Sequence, residues 1–335
     1  MKRTSTALGT VFTLQMHAME EASRQSRTEA DLEHLFLAVL LSEQPAGRAL
    51  RSLGITLEGA RAAAEQLHVE GLFTLGVDAS PPAHGITLYE TQRGGDLTER
   101  AAAVMKAALE KKKQGDAAAV LRELLEEPSG MIEELLQRLG TDREQVRAAL
   151  EATGPSSRAA RRTGRDEVAG SRTVFVPAEP QEIWDVLIRP ENIRIWDSSM
   201  SELEPEQPEE GVPSPGDGWT VPAGQTGTGR RPAPRRRGGR RRLVLSRADA
   251  PHLLEWEITA LDRSAAESDG PGTLQRRTAE LFAVPGGTEL RFTVIWRRRA
   301  RGPRRILRTA LTPALRQLAR LGAHSHATLI SAHFR

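Results

Sequence analysis

From about Thr13 to Ala152, apolar residues recur three and four positions apart, and strict alternation is scarce. That period, with Ala, Leu, Glu and Arg dominating, predicts an all-helical region. The stretch ALRSLGITLEGARAAAEQL (49–67) echoes ELLQRLGTDREQVRAALEA (134–152). In both copies a helix should stop at a glycine, Gly54 or Gly140, that can take the left-handed conformation of a C-terminal cap. A polar residue, Thr56 or Asp142, then stands where the next helix can begin. The echo fits two repeats of four short helices, joined by the Pro/Gly-rich stretch GVDASPPAHG (76–85).

Beyond residue 171 the period shortens to two. RTVFV reads as a strand, and PAEPQEIWDVLIRPENIRIW as one helix or two, broken at Pro190. RRLVLSR, HLLEWEITAL, QRRTAELFAV and TELRFTVIWRR then read as strands. In the last of these, Leu290, Phe292, Val294 and Trp296 should share one face. Glu289, Arg291, Thr293 and Arg297 should mostly face water. PGGT (285–288) is expected to close a hairpin. Leu307, Leu311, Leu315 and Leu318 lie at helical spacing, predicting one long amphipathic C-terminal helix whose leucine face the sheet buries. Between the two halves, GPSSRAARRTGRDEVAGS has the Gly, Ser and Arg content of an exposed linker. The expected organisation is a helical domain over 1–153, a linker over 154–170 and a mixed domain over 171–335.

Charge supports this division. Residues 1–154 hold 17 basic and 23 acidic side chains, a balance of −6, whereas residues 155–335 hold 30 and 21, a balance of +9. All five tryptophans lie between Trp184 and Trp296, and all five lysines at or before Lys113. The absence of cysteine excludes thiolate catalysis, disulfides and cysteine-based zinc sites, and permits a cytoplasmic setting. No apolar run is long enough to predict a membrane span, and acids interrupt the N-terminal apolar stretch too early for a secretory signal. No GxxxxGK[ST] occurs, so a P-loop nucleotide site is not expected, and no cofactor is implied.

Glu33-His34, within DLEHLFLAVL, is the first candidate for chemistry. Its structural reading is a helix start, with the acid favouring the macrodipole and the histidine capping or packing. A metal site would need further ligands, and position 37 is Leu. EEASRQSRTEADLEHLFLAVL followed by GRALRSLGI resembles the N-terminal repeat of Clp-type unfoldases, in which an acidic-Ala helix end precedes a Thr-Glu-His motif and an LxxLG turn. Here Leu32 replaces the Thr, whereas Glu33 and His34 match; the second repeat has Ala117, Ala118 and Ala119 at the motif. The resemblance implies a head, without a motor, that docks a protein partner through Glu33 and His34, as in Clp-related adaptors. In some members the motif acid helps to bind phosphorylated arginine, for which Glu33 is the surviving acid.

VPAEPQEIWDVLIRPENIRIWDSSM (176–200), PGDGW (215–219), LLEWEI (253–258), GGTELRF (286–292) and the long last helix resemble the polyketide-cyclase/START-like (SRPBCC) superfamily. The resemblance implies a helix-grip fold, with a seven-stranded antiparallel sheet curled around the C-terminal helix over a cavity for a small apolar ligand. Trp184, Trp196, Trp219, Trp256, Phe292 and Trp296 are the cavity candidates, or else plain core; Trp196 and Trp219, beside turns, suit a cavity mouth. Binding rather than catalysis is the leading expectation. The alternative is a polyketide cyclase or aromatase, for which Asp197, Ser198, His252 and Glu255 are the polar candidates without recognisable catalytic spacing. His324, His326 and His333 do not share a helix face, so no metal site is expected. The runs RRPAPRRRGGRRR (230–242) and RRRARGPRRILR (297–308) read as solvated loops, or as a surface for nucleic acid or another anionic polymer.

Overall fold

A computed structural model describes residues 2–74, 96–110, 116–154, 167–197, 200, 211–222, 240–261, 274–297 and 312–335. The chain divides into two compact units, Met1–Arg158 and Ala159–Arg335.

The first unit contains α1 (Lys2–Arg24), β1 (Glu29–Ala30), α2 (Leu32–Leu40), α3 (Pro45–Ser52) and α4 (Leu57–Thr74). The second run is β2 (Asp96–Leu97), α5 (Glu99–Glu110), α6 (Ala117–Glu126), α7 (Met131–Arg138) and α8 (Arg143–Ala152). β1, between α1 and α2, pairs in parallel with β2, which precedes α5, and so ties the two runs of four helices together. The expected punctuation is present. Gly54 and Gly140 have φ of 81° and 73°, values that a side chain disfavours. Thr56 and Asp142 accept hydrogen bonds from the backbone N–H groups of Gly59 and Gln145. The helix α2 is buried along its whole length, because apolar residues surround it and α1, α3, α4, α5, α6 and α7 all pack on it. The connector 76–85 lies outside the described residues.

The second unit contains β3 (Glu167–Val176), α9 (Pro180–Leu187), a 3-10 turn at Pro190–Asn192, α10 (Ile193–Trp196), β4 (Gly218–Pro222), β5 (Arg240–Asp249), β6 (Leu253–Ala260), β7 (Leu274–Val284), β8 (Gly287–Arg297) and α11 (Thr312–His333). Six strands form an antiparallel sheet in the order β3-β8-β7-β6-β5-β4, and α11 packs on β3 and β8. This arrangement is consistent with a helix-grip fold, with six strands rather than seven among the described residues. β3 begins at Glu167, so the last residues expected in the linker are strand. Arg240, expected in a loop, opens β5 together with Arg241 and Arg242, whereas residues 230–239 lie outside the described set.

Two patterning expectations need correction. Glu289, Arg291 and Thr293 are buried rather than wet, and only Arg297 is exposed. β8 lies between β3 and β7, and the long polar side chains of its neighbours cover its outer face. Arg291, for instance, lies over the Phe282 ring and 3.9 Å from Glu280. The buried stripe of α11 is Ala319, Ala323, Ala327, Ile330 and Ser331, whereas Leu318 is 53% exposed. Close approach explains this choice: a Cβ on Gly170 would meet the backbone of Ala319 and Arg320 at under 3 Å, so only small residues fit that face. Leu307 and Leu311 lie outside the described residues.

Candidate functional site

In the helical unit, Asp31 caps α2. Its carboxylate accepts from the Leu32 N–H and, across the repeats, from Thr98 Oγ1 at 2.7 Å and Arg100 at 2.6 Å. Burial alone would raise the Asp31 pKa, but these bonds outweigh it and hold it low. The His34 ring completes the cap, accepting the Asp31 N–H at Nδ1, and its Nε2 lies 3.1 Å from Gln25 Oε1. His34 is fully buried, and burial first, then the Arg27 charge, holds its pKa down to about 4. The ring is therefore neutral at physiological pH. Glu33 is 6% exposed and pairs through Oε1 with Arg27 at 3.1 Å; burial pushes its pKa up. In the second run of helices, Asp116 caps α6 by accepting from the Ala119 N–H, and Ala118 and Ala119 stand in place of Glu33 and His34, so no ring returns a bond.

In the mixed unit, strand alternation sorts the side chains into two faces. The inner one carries Val174, Leu243, Leu254, Trp256, Ile258, Ala279, Leu281, Leu290, Phe292 and Val294, packed with Trp184 and Trp196 from α9 and α10. Trp184, Trp196, Trp219, Trp256 and Phe292 are all buried in this cluster, and Trp296 is half-buried against it. Trp196 and Trp219, expected at a mouth, are 2% and 8% exposed. The indoles differ in their hydrogen bonding. Trp256 Nε1 donates to the Leu187 carbonyl at 3.2 Å, which fixes α9 against the sheet. Trp196 Nε1 and Trp296 Nε1 are buried with no acceptor among the described residues.

A polar cluster lies on that same face, formed by residues far apart in the chain. Arg277 lies between Trp256 of β6 and Val294 of β8, and is 6% exposed. Its Nη1 meets the carboxylate of Asp197, which is 1% exposed at the end of α10. The guanidinium lies over the Trp196 ring, 5.7 Å from the centroid, and Nε has no acceptor among the described residues. Burial pulls the Arg277 pKa down to about 9, so it remains cationic near neutrality. His326 of α11 donates from Nδ1 to the Trp196 carbonyl at 2.6 Å, and its ring meets Trp196 edge-on and Phe292 at 5.3 Å. Burial, then the Arg277 charge, lowers the His326 pKa to about 3. A neutral ring donating at Nδ1 leaves Nε2 as an acceptor.

Asp197, named among the cyclase candidates, and His326, named among the metal candidates, thus meet around Trp196. Ser198 lies outside the described residues. His252 is exposed, and Glu255 lies on the outer face, where it accepts from Ser246 and Thr278. Arg277 is the functional candidate that the sequence reading missed. Its signal was the run Gln275, Arg277, Ala279, Leu281: the last two fix the inner register, and stepping back by two brings the arginine inside. The outer face carries a small polar pocket lined by Glu167, Glu257, Arg276, Ile295 and Arg297, where Arg276 pairs with Glu167 and Glu255. No group of three or more metal-ligating side chains is arranged for an ion among the described residues. No described helix is long and apolar enough to cross a membrane.

The family described as Polyketide cyclase / dehydrase and lipid transport matches residues 167–325. No curated protein matches the chain. Among solved structures, protein Ms6760 from Mycobacterium smegmatis is 16% identical, covering 52% of this chain and 96% of its own, with a TM-score of 0.33. The protein of unknown function SA2116 from Staphylococcus aureus is 11% identical over 50% of this chain and 95% of its own, with a TM-score of 0.34. Residues 167–325 are thus similar to that family, and a helical unit precedes them in the same chain.

Proposed function

We propose that residues 167–335 bind a small apolar ligand on the inner face of the sheet, and that the chain acts by holding this ligand rather than by transforming it. The family match supports the reading. The observation that carries it is the make-up of that face: large aromatic and aliphatic side chains surround two indole N–H groups and a guanidinium Nε that no described residue satisfies. Buried polar groups are nearly always hydrogen-bonded, so donors left over in an apolar interior suit a visiting acceptor. Holding rather than turnover follows from the ion pairing, because the Asp197 carboxylate faces Arg277 and is not poised as a base.

Native mass spectrometry of the full chain tests this. A discrete small-molecule mass increment, released on denaturation and extractable into organic solvent, is the expected result. A bare polypeptide mass, together with tryptophan emission unmoved by dodecanol or dodecanoate, would contradict it.

A further inference from the structure

The orphan donors are not scattered. On β7 and β8, Gln275 stands opposite Trp296, and Arg277 opposite Val294, one pleat along on the same face. Diagonal neighbours of this kind are within reach of long side chains. Trp196 comes from α10 beneath the guanidinium, and His326 from α11 beside both. Three secondary-structure layers thus converge on one end of the inner face, bringing Trp196 Nε1, Trp296 Nε1 and Arg277 Nε, all buried and without an acceptor among the described residues.

The charges that the strands contribute to this face have one sign. At the inward positions of the six strands, the charged residues among those described are Arg172, Arg241 and Arg277, and none is acidic. Arg241 is 6% exposed and directs Nη1 at Met200 Sδ, whose backbone N–H is bonded to the Asp197 carbonyl. Asp197 supplies the carboxylate that meets Arg277. Arg241 and Arg277 are buried and Arg172 is half-buried, and guanidinium groups turned inward from an apolar sheet need compensation once removed from water.

We propose that this end of the inner face is the head-group subsite of the ligand, and that the head is a carboxylate: Arg277 supplies the charge, and the Trp196 and Trp296 indoles supply neutral donors. The inference rests on the apolar-ligand reading above and narrows it to amphiphilic carboxylic acids. A carboxylate offers about four lone-pair sites and matches several converging donors, whereas an alcohol offers fewer and no charge. The two indole N–H groups need no deprotonation or rearrangement to accept such a head. Asp197 keeps Arg277 compensated without a ligand and holds the guanidinium in place when one arrives.

Calorimetric titration of the full-length protein with dodecanoate and with dodecanol, both below their micellar concentrations, is the test. Dodecanoate is expected to bind about tenfold or more tightly than dodecanol, the margin of one charge-assisted hydrogen bond. Arg277→Gln alone takes the guanidinium away from the buried Asp197 carboxylate and endangers folding. The charge-neutral pair Asp197→Asn with Arg277→Gln, and separately Trp296→Phe, are therefore used, each checked for a native circular dichroism spectrum. The carboxylate preference should vanish in the first and weaken about threefold or more in the second. Equal affinities for the two amphiphiles, or a preference that survives in the charge-neutral variant, overturn the head-group inference and leave the apolar-ligand reading standing. Failure of both amphiphiles to bind overturns that reading together with the inference.

Discussion

Each unit buries a carboxylate–guanidinium pair, and the two pairs are built differently. In the helical unit, Arg61 clamps Glu21 with two bonds of 2.7 Å, from Nε and Nη2 to the two carboxylate oxygens; the arginine keeps 29% of its side chain in contact with solvent. In the mixed unit, Arg277 and Asp197 are 6% and 1% exposed, meet at guanidinium Nη1, and leave Nε without an acceptor among the described residues. The first pair uses a bidentate geometry to fasten α1 to α4. The second takes both groups out of water and still leaves a guanidinium N–H without an acceptor among the described residues, which a purely structural tie does not require.

The largest expected effect follows from this contrast. Arg277→Met takes the guanidinium away from the buried Asp197 carboxylate, and should destabilise the mixed unit by about 3–5 kcal/mol. Arg61→Met, with Arg24 also 3.7 Å from Glu21, should cost about 1–3 kcal/mol. Adding Asp197→Asn to Arg277→Met should recover most of the loss. All the tryptophans lie in the mixed unit, so denaturant curves followed by tryptophan emission report on it separately from far-ultraviolet circular dichroism.

Acid should act on both units through buried neutral histidines. His34 and His326 have folded-state pKa values of about 4 and about 3, against 6.5 unperturbed. Below pH 6.5 the unfolded chain binds protons that the folded chain refuses, so stability is flat above that pH and falls as pH drops toward 4. For His34 the loss by about pH 4.5 is on the order of 2 kcal/mol. His34→Gln keeps a capping-box side chain at the third helical position and should flatten this slope in thermal melts of the helical unit.

A smaller effect is expected at Gly170. Gly170→Ala should cost about 1–3 kcal/mol, because the added Cβ collides with the α11 backbone rather than with a movable side chain. The finest contrast is between two indoles. Trp256→Phe removes the donor to the Leu187 carbonyl and should cost about 1 kcal/mol more than Trp196→Phe, whose lost N–H has no protein acceptor among the described residues. Equal costs would mean that the two indoles are equally engaged.

The sequence made legible whatever depends on local chemistry. Leu53-Gly54 and Leu139-Gly140 marked the helix stops, because only glycine tolerates the observed φ at no cost. The helix start at His34 was legible as a cap or packing position, although the bond from the Asp31 N–H needed coordinates. Five of the six described strands followed from alternation and the last hairpin from Pro285-Gly286, whereas β4 (Gly218–Pro222) was not read as a strand. The rest depends on neighbours. Whether Glu289 and Arg291 are wet is decided by β8 having a strand on each side, which no periodicity reports. The alanine stripe of α11 was hidden because leucines dominate the apolar count, whereas the constraint is the distance to β3. Asp197, Arg277 and His326 lie far apart in the chain, on α10, β7 and α11, and only packing brings them to Trp196.

The central claim is that donors inside the mixed unit are kept for a ligand. Indole N–H resonances of the full-length protein, labelled with nitrogen-15 at tryptophan and assigned by single Trp→Phe changes, test it most directly. On addition of dodecanoate, the Trp196 and Trp296 signals should move downfield as they gain an acceptor, and the Trp256 signal should stay, held by Leu187. Uniform small shifts in all five indoles, or no shift at Trp196 and Trp296 under saturating dodecanoate, would contradict the claim.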